Sequence, residues 1–156
     1  MQIRYVMGDL MTATEPVIVH GCNARGIMGS GVAKAIRDRY PHAYEKYRDR
    51  YLNHGLHLGE CIWVECGDHV IVNAITQESF GSDPNVQYVF YDAISQVMRE
   101  INSHRIFAED NRVAMPLIGA GRGGGSWPHI ASIIESELTL VQPVVYHRAE
   151  DKIPTK

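Results

Sequence analysis

The feature that most constrains this chain is a pair of glycine-rich stretches, each lying between a strand pattern and a helix pattern. The first, residues 21–31, follows the fully apolar run 17–19. The second, residues 119–125, follows a predicted strand at 112–118 and precedes a helix whose N-cap is expected at Ser126. In α/β folds, ligands bind beyond the carboxyl ends of the strands, where strand-to-helix loops of this kind meet. Both stretches therefore point to one edge of a sheet as the functional site.

The other periodicities complete an α/β pattern. Strands are predicted at 3–7, 16–20, 60–65, 69–75, 112–118 and 141–146, and helices at 32–40, 42–54, 86–101 and from 127 onward. Strands that alternate with helices indicate an α/β sandwich. We predict one domain over residues 1–147, a three-layer α/β/α sandwich with a central mixed, largely parallel sheet, followed by a polar tail at 148–156.

Composition and charge exclude several classes of protein. The chain has 15 Lys plus Arg against 18 Asp plus Glu, a net charge of −3, which argues against general nucleic-acid binding. Its apolar runs are strand-sized, so no membrane span is expected. The eight histidines are scattered without ligand spacing, so no metal is expected. The three cysteines predict free thiols in a reducing compartment, and we expect a cytoplasmic monomer without a cofactor.

The glycine stretches favour phosphate as the ligand. Glycine lets backbone N–H groups approach a ligand closely, and a helix N-terminus attracts anions. The order G-x-x-G-x-G at 26–31 is neither the dinucleotide-binding G-x-G-x-x-G nor a nucleotide-triphosphate P-loop. The second stretch has five glycines in seven residues, which are costly to order. Two such loops at neighbouring strand ends predict a clamp on a diphosphate; a packing turn and a flexible surface loop are the structural alternatives.

These residues resemble the macro domain family, which binds ADP-ribose. The likeness is carried by three segments, Gly8-Asp9-Leu10, His20–Asn23 with 29–33, and 115–121 leading to Trp127. Within the family the chain is most similar to the small yeast-type ADP-ribose 1″-phosphate phosphatases, through His20 and the segments 39–41, 58–61 and 79–81. The resemblance implies binding of ADP-ribose and of ADP-ribose 1″-phosphate, and hydrolysis of the latter to ADP-ribose and phosphate without a metal.

The resemblance also implies roles for single residues. Asp9 would accept a hydrogen bond from the adenine amino group, Tyr146 would lie beside adenine, and Asn23 would lie near the distal ribose. Further ligand contacts are implied at Gly8, Leu10, Gly29, Ser30, Gly31, Val32, Phe80, Ile118, Gly119, Ala120, Gly121, Arg122 and Gly123. From the residues alone there are structural alternatives: Asp9 could cap a short turn, Asn23 could form a turn, and Tyr146 could pack at the rim of the core.

Catalysis would depend on His20, with Asp83 as a carboxylate partner. Histidine suits a proton shuttle or a nucleophile because its unperturbed pKa is near 6.5. The structural alternatives are a buried histidine bonded to its neighbours and an aspartate that forms the turn before Pro84.

One departure separates the chain from related macro domains that remove ADP-ribose from glutamate. Those use a lysine after the fourth strand and an aspartate in the second glycine loop, whereas residues 76–78 read Thr-Gln-Glu and 121–123 read Gly-Arg-Gly. Two alternatives to the phosphatase stay open, a reader module that binds ADP-ribose without chemistry and a hydrolase that acts on ADP-ribosylated protein or nucleic acid.

Overall fold

A six-stranded sheet forms the centre of the molecule in a computed structural model that describes residues 1–151 and 153. Its strands are β1 (Arg4–Met7), β2 (Val17–Asn23), β3 (Cys61–Cys66), β4 (His69–Gln77), β5 (Arg112–Met115) and β6 (Gln142–His147). They lie in the order β1-β6-β5-β2-β4-β3. All neighbours pair in parallel except β3, which is antiparallel to β4. The predicted mixed, largely parallel sheet is confirmed.

Two helices cover each face of this sheet. They are α1 (Gly31–Arg39), α2 (Pro41–His54), α3 (Tyr91–Ser103) and α4 (Trp127–Glu137), with short 3-10 helices at Leu10–Thr12 and Arg105–Ala108. The core on one face contains residues of α3 and α4, and the cores on the other contain residues of α1 and α2. This is the expected α/β/α sandwich. Among the described residues, no helix combines the length and the apolar character needed to cross a membrane.

Strand β2 shows why the sheet is buried on both sides. Val17 and Val19 pack in the α3–α4 core, whereas Ile18 packs against α1, because successive side chains of a strand point to opposite faces. All three side chains are fully buried. Burial of each contributes about 1.5–3 kcal/mol, so β2 anchors both layers.

The hairpin and the cysteines follow the prediction. Strands β3 and β4 pair from Cys61 with Ala74 to Cys66 with His69, and Gly67 between them has φ +70°. Cys61 packs with the α3–α4 core and Cys66 with the α1 core, on opposite faces as their spacing predicts. All three cysteines are free thiols.

Three predicted boundaries are wrong. Strand β2 continues three residues beyond His20, to Asn23, and β5 ends at Met115, directly before Pro116, which has no N–H to donate. Helix α3 begins at Tyr91 rather than at 86. Residues 86–90 instead form an extended strap across the second glycine loop, where the N–H groups of Tyr88 and Val89 both donate to the carbonyl of Gly123.

Candidate ligand-binding cleft

A cleft of about 1410 Å³ opens at the carboxyl ends of the parallel strands. The segments that follow β1, β2, β4, β5 and β6 all contribute to its lining. Because the strand order is β1-β6-β5-β2-β4, the cleft has one end at β1 and β6 and the other at β2 and β4. This is the edge at which the two glycine stretches are predicted to meet.

Every residue predicted to bind ligand lines this one cleft. They are Gly8, Asp9, Leu10, Asn23, Gly29, Ser30, Gly31, Val32, Phe80, Ile118, Gly119, Ala120, Gly121, Arg122, Gly123 and Tyr146. The two residues predicted to carry the chemistry, His20 and Asp83, do not line it. The structure thus brings together the predicted binding residues and separates them from the predicted catalytic pair.

The first glycine loop is held in shape by Asn23. Its Oδ1 accepts from the Arg25 N–H at 2.9 Å, and its Nδ2 donates to the Ile27 carbonyl at 2.8 Å. The buried Tyr47 of α2 donates its O–H to the Asn23 carbonyl at 2.6 Å. The Asn23 amide therefore works inside the loop, which is the turn role that the sequence allowed, while its contact with a distal ribose stays a prediction.

The second glycine loop, which lines the cleft, contains N–H groups without an acceptor. The N–H groups of Gly121, Arg122 and Gly123 find no acceptor among the described residues, whereas those of Gly124 and Gly125 donate to carbonyls within the loop. The first turn of α1 likewise leaves N–H groups unpaired, as every helix start does. Successive free N–H groups form an anion-binding concavity.

The two loops meet across the cleft through Arg122. A Cβ atom at Gly31 would lie 3.8 Å from Arg122 Nε, so the guanidinium of the second loop lies against the start of α1. No carboxylate of the described chain forms an ion pair with Arg122. The residues that line this part of the cleft therefore include an exposed cation and two sets of N–H groups without an acceptor.

Several glycines of the second loop are required by packing rather than by a ligand. Gly119 has φ +79°, and a Cβ there would lie 2.9 Å from the Val89 side chain. A Cβ at Gly124 would lie 2.6 Å from the Val86 carbonyl oxygen. Gly121 differs, since a Cβ there would meet nothing within 4 Å. The flexible surface loop that the sequence allowed is thus a packed loop, and Gly121 is its open position.

The β1–β6 end of the cleft is formed by Asp9 and Tyr146. Asp9 Oδ1 accepts from the Met11 N–H at 2.9 Å and so caps the first 3-10 helix, as the structural alternative predicted, while the residue also lines the cleft. Tyr146 donates its O–H to the buried Glu15 carboxylate at 2.7 Å. Burial and this carboxylate raise the pKa of Tyr146 to about 12, so the phenol stays protonated and its ring is held in place.

His20 lies in the core, which contradicts its predicted catalytic position. Its side chain is fully buried on the α1–α2 side of the sheet, and Nε2 lies 2.7 Å from Asn73 Oδ1. Asn73 Nδ2 in turn donates to the Ala43 carbonyl of α2 at 3.0 Å. Burial lowers the pKa of His20 to about 4, so the ring is neutral and cannot exchange protons with a ligand it does not reach.

Asp83 also has a structural position. It is exposed, its Oδ1 accepts from the Asn85 N–H at 2.9 Å, and its carbonyl accepts from the Val86 N–H. The predicted pair of His20 with Asp83 is not formed, because Asn73 and Cys22 occupy the polar contacts of the imidazole.

Sequence reasoning missed the contribution of β4 and of the residues after β6. Thr76 and Gln77 end β4 and line the cleft, and the rule that ligands bind at carboxyl strand ends could have found them. Part of the predicted tail also lines it, because the Arg148 N–H donates to Asp151 Oδ2 and closes a turn there. Residues 152 and 154–156 of that tail lie outside the described residues. Within residues 1–151 and 153, no cluster of three or more His, Cys, Asp or Glu side chains could hold a metal ion.

Known proteins share this architecture and sequence. A DNA ADP-ribosyl glycohydrolase of Thermus aquaticus is 25% identical over 99% of the chain and 45% of its own length. An ADP-ribose 1″-phosphate phosphatase of Lodderomyces elongisporus is 28% identical over 86% of the chain and 92% of its own. A protein of unknown function from Bacteroides thetaiotaomicron superposes with a TM-score of 0.81 at 30% identity, over 94% of this chain and 98% of that one.

The chain spans less than half the length of the glycohydrolases that it matches. The family model for the macro domain matches residues 19–134, which include both glycine loops, the strands β3, β4 and β5, and most of β2. The sandwich, its strand order and the cleft at its carboxyl edge agree with that match, and the chain belongs to the macro domain family.

Proposed function

We propose that the cleft binds ADP-ribose, and that the protein hydrolyses ADP-ribose 1″-phosphate to ADP-ribose and phosphate. The observation that supports this proposal is the meeting of the two glycine loops. Gly121–Gly123 and the first turn of α1, whose N–H groups are free, line one cleft, and Arg122 lies against the start of α1. Backbone donors and one guanidinium fit the several oxygens of a diphosphate.

The remaining parts of the ligand follow from the ends of the cleft. Asp9 and Tyr146 lie at the β1–β6 end, where a carboxylate and an aromatic ring suit an adenine. The distal ribose would then lie towards the loops after β2 and β4, next to Asn23 and Phe80. Phe80 is 51% exposed, so its ring offers an apolar surface to the sugar at that end.

The reaction would depend on how the loops position the phosphoryl group and on how well they stabilise its negative charge. Water adds to the phosphorus of the 1″-phosphate, the bond from phosphorus to the ribose oxygen breaks, and that oxygen takes up the proton that the water loses. Fixed N–H donors and Arg122 stabilise the charge on phosphoryl oxygens without reorganising. His20 has no part in this scheme, because it lies in the core.

Two observations favour the phosphatase over a glycohydrolase. The chain matches two of the yeast-type phosphatases over 92% of their length, but the DNA ADP-ribosyl glycohydrolases over less than half of theirs. The lysine and the aspartate implied for the enzymes that remove ADP-ribose from glutamate are absent, since residues 76–78 read Thr-Gln-Glu and 121–123 read Gly-Arg-Gly. The glycohydrolase names nevertheless make release of ADP-ribose from a modified base an assay worth including.

The test is a titration with ADP-ribose, AMP and NAD, followed by phosphate release from ADP-ribose 1″-phosphate in EDTA. We expect tighter binding of ADP-ribose than of AMP, and turnover that EDTA does not reduce. Arg122→Gln should lower the rate about tenfold, because it removes one charge-assisted contact. Arg99→Gln, which removes a cation on α3, is the matched control and should keep the rate.

Each failure has its own meaning. Absence of ADP-ribose binding would contradict the site itself. Binding without phosphate release would contradict the phosphatase and leave the reader module. If His20→Gln abolishes phosphate release but leaves the ADP-ribose affinity unchanged, His20 would be required for catalysis.

The reader module is the second candidate, and the β2–β4 end of the cleft favours it. Among the described residues that line this end, Cys22 is the titratable side chain, and burial raises the pKa of its thiol well above the usual range. A protonated thiol is a poor nucleophile and a poor base. An arrangement without an ionisable acid or base suits binding without turnover.

A further inference from the structure

Thr76, a fully buried residue that lines the cleft, carries a polar side-chain atom without a partner. Its Oγ1 is buried and has no hydrogen-bond partner, and it is the one such side-chain nitrogen or oxygen in the described part of the chain. Thr76 lies at the carboxyl end of β4 and lines the cleft. Buried side-chain polar atoms are nearly always paired, so an unpaired one needs a reason.

The surroundings of this hydroxyl are fixed. A Cβ atom at Gly21 would lie 2.8 Å from Thr76 Oγ1 and 3.4 Å from the Ile118 side chain, so the hydroxyl fills the space that a side chain on β2 would need. Its backbone is held as well, because the Thr76 carbonyl accepts from the Phe90 N–H at 2.9 Å. Gly21 and Ile118 themselves line the cleft.

A valine would fit this position better in the free protein. Valine has the same shape, leaves no polar atom unpaired, and is favoured in buried strands. The hydroxyl therefore carries an energetic cost that the fold does not recover. Such a cost is expected where the missing partner arrives with a ligand.

We propose that the Thr76 hydroxyl is a binding group for the distal ribose of ADP-ribose, an inference that rests on the proposed function. Four strand spacings separate β1 from β4 in the order β1-β6-β5-β2-β4, about 19 Å at the usual distance between strands. If Asp9 and Tyr146 hold adenine at the first end, Thr76 lies at the far end, beyond the diphosphate loops. Because the hydroxyl has no partner in the free protein, turning it towards the ligand breaks no hydrogen bond.

The test compares Thr76→Val and Thr76→Ser in titrations with ADP-ribose and with ADP, which lacks the distal ribose. Thr76→Val should bind ADP-ribose about fivefold more weakly than wild type, the factor that one net hydrogen bond supplies, and should bind ADP unchanged. Thr76→Ser keeps the hydroxyl and should retain the affinity for ADP-ribose. The unliganded Thr76→Val protein should melt at the same temperature as wild type or higher.

A merely structural threonine would give other results. Equal ADP-ribose affinity in Thr76→Val and wild type would overturn the inference, and so would a loss of the same size for ADP. Thr76→Ala must show the same selective loss, which keeps the test decisive if the valine variant does not fold. If the wild type binds ADP but not ADP-ribose, the proposed function fails first, whereas normal ADP-ribose binding by wild type and Thr76→Val alike rejects the role of Thr76 alone.

Discussion

His20 matches a family motif, but its side chain is buried in the core. Its imidazole is completely buried between the sheet and α2, and its polar contacts are Asn73 and Cys22. A charged ring there would lose its hydration without gaining a carboxylate, which is why burial lowers the pKa of His20 to about 4. The residue therefore links protein stability to pH.

We predict that stability falls as the pH drops from about 6.5 to about 4. The folded-state pKa of His20, about 4, lies below the ordinary histidine pKa of 6.5, so in this range the unfolded chain binds a proton that the folded chain does not bind. The free energy of unfolding falls by about 3 kcal/mol across this range. Above about pH 6.5 the neutral His20 contributes its full stabilisation. Urea unfolding at pH values across this range measures the slope.

His20→Gln keeps an amide donor beside Asn73 and should flatten this slope. His57→Gln, the same exchange at a side chain that is 73% exposed, should leave the slope as in wild type. Equal slopes in wild type and His20→Gln would show that the acid sensitivity arises elsewhere.

The position of His20 could not be predicted because the end of β2 was misplaced. The apolar run 17–19 indicates a strand that ends at His20, with the side chain free to turn towards a ligand. Strand β2 continues to Asn23, so His20 lies inside it and shares a face with Ile18 and Cys22, both buried against the α1–α2 layer. The binding residues were predictable because glycine loops mark the strand ends themselves.

At the scale of elements, the second glycine loop and the strap at 86–90 form one packed unit. Val89 lies against Gly119 and Gly125, and the strap N–H groups of Tyr88 and Val89 pair with the Gly123 carbonyl. The absence of side chains at these glycines thus leaves room for the strap to cross the loop, and it also keeps the cleft open. The apolar spacing of 86–90 indicates a helix, but Val89 is buried under the glycine loop whereas Val86 and Phe90 are exposed, so these residues do not form one helix face.

Two alanine substitutions should separate these roles. Gly119→Ala should destabilise the protein by about 2 kcal/mol or more, because it adds a Cβ at φ +79° and 2.9 Å from Val89. Gly121→Ala should change the free energy of unfolding by less than about 0.5 kcal/mol, because nothing lies within 4 Å of its Cβ. Urea denaturation measures both. Similar losses at the two positions would show that the loop is not packed as described.

At the scale of the whole molecule, the cleft joins segments that are distant in sequence. Gly8 and Asp9 follow the first strand, Arg148–Asp151 follow the last, and the glycine loops lie between them. A ligand that touches all of them bridges both halves of the sheet. Its binding free energy therefore adds to the stability of the whole fold rather than to one loop.

We accordingly predict that ADP-ribose raises the Tm of the protein more than AMP does at equal concentration. A ligand at a hundred times its Kd stabilises by about 2.7 kcal/mol, which corresponds to about 5–10 °C for a domain of this size. AMP fits only the β1–β6 end and one phosphate position, so it should bind more weakly and shift the Tm less.

Arg122→Gln should reduce the shift with ADP-ribose while leaving the Tm of the free protein unchanged, since Arg122 is exposed and its guanidinium has no ion-pair partner in the described chain. Thermal melts across a ligand series measure this, and an AMP shift as large as that of ADP-ribose would mean that the diphosphate loops add nothing to binding.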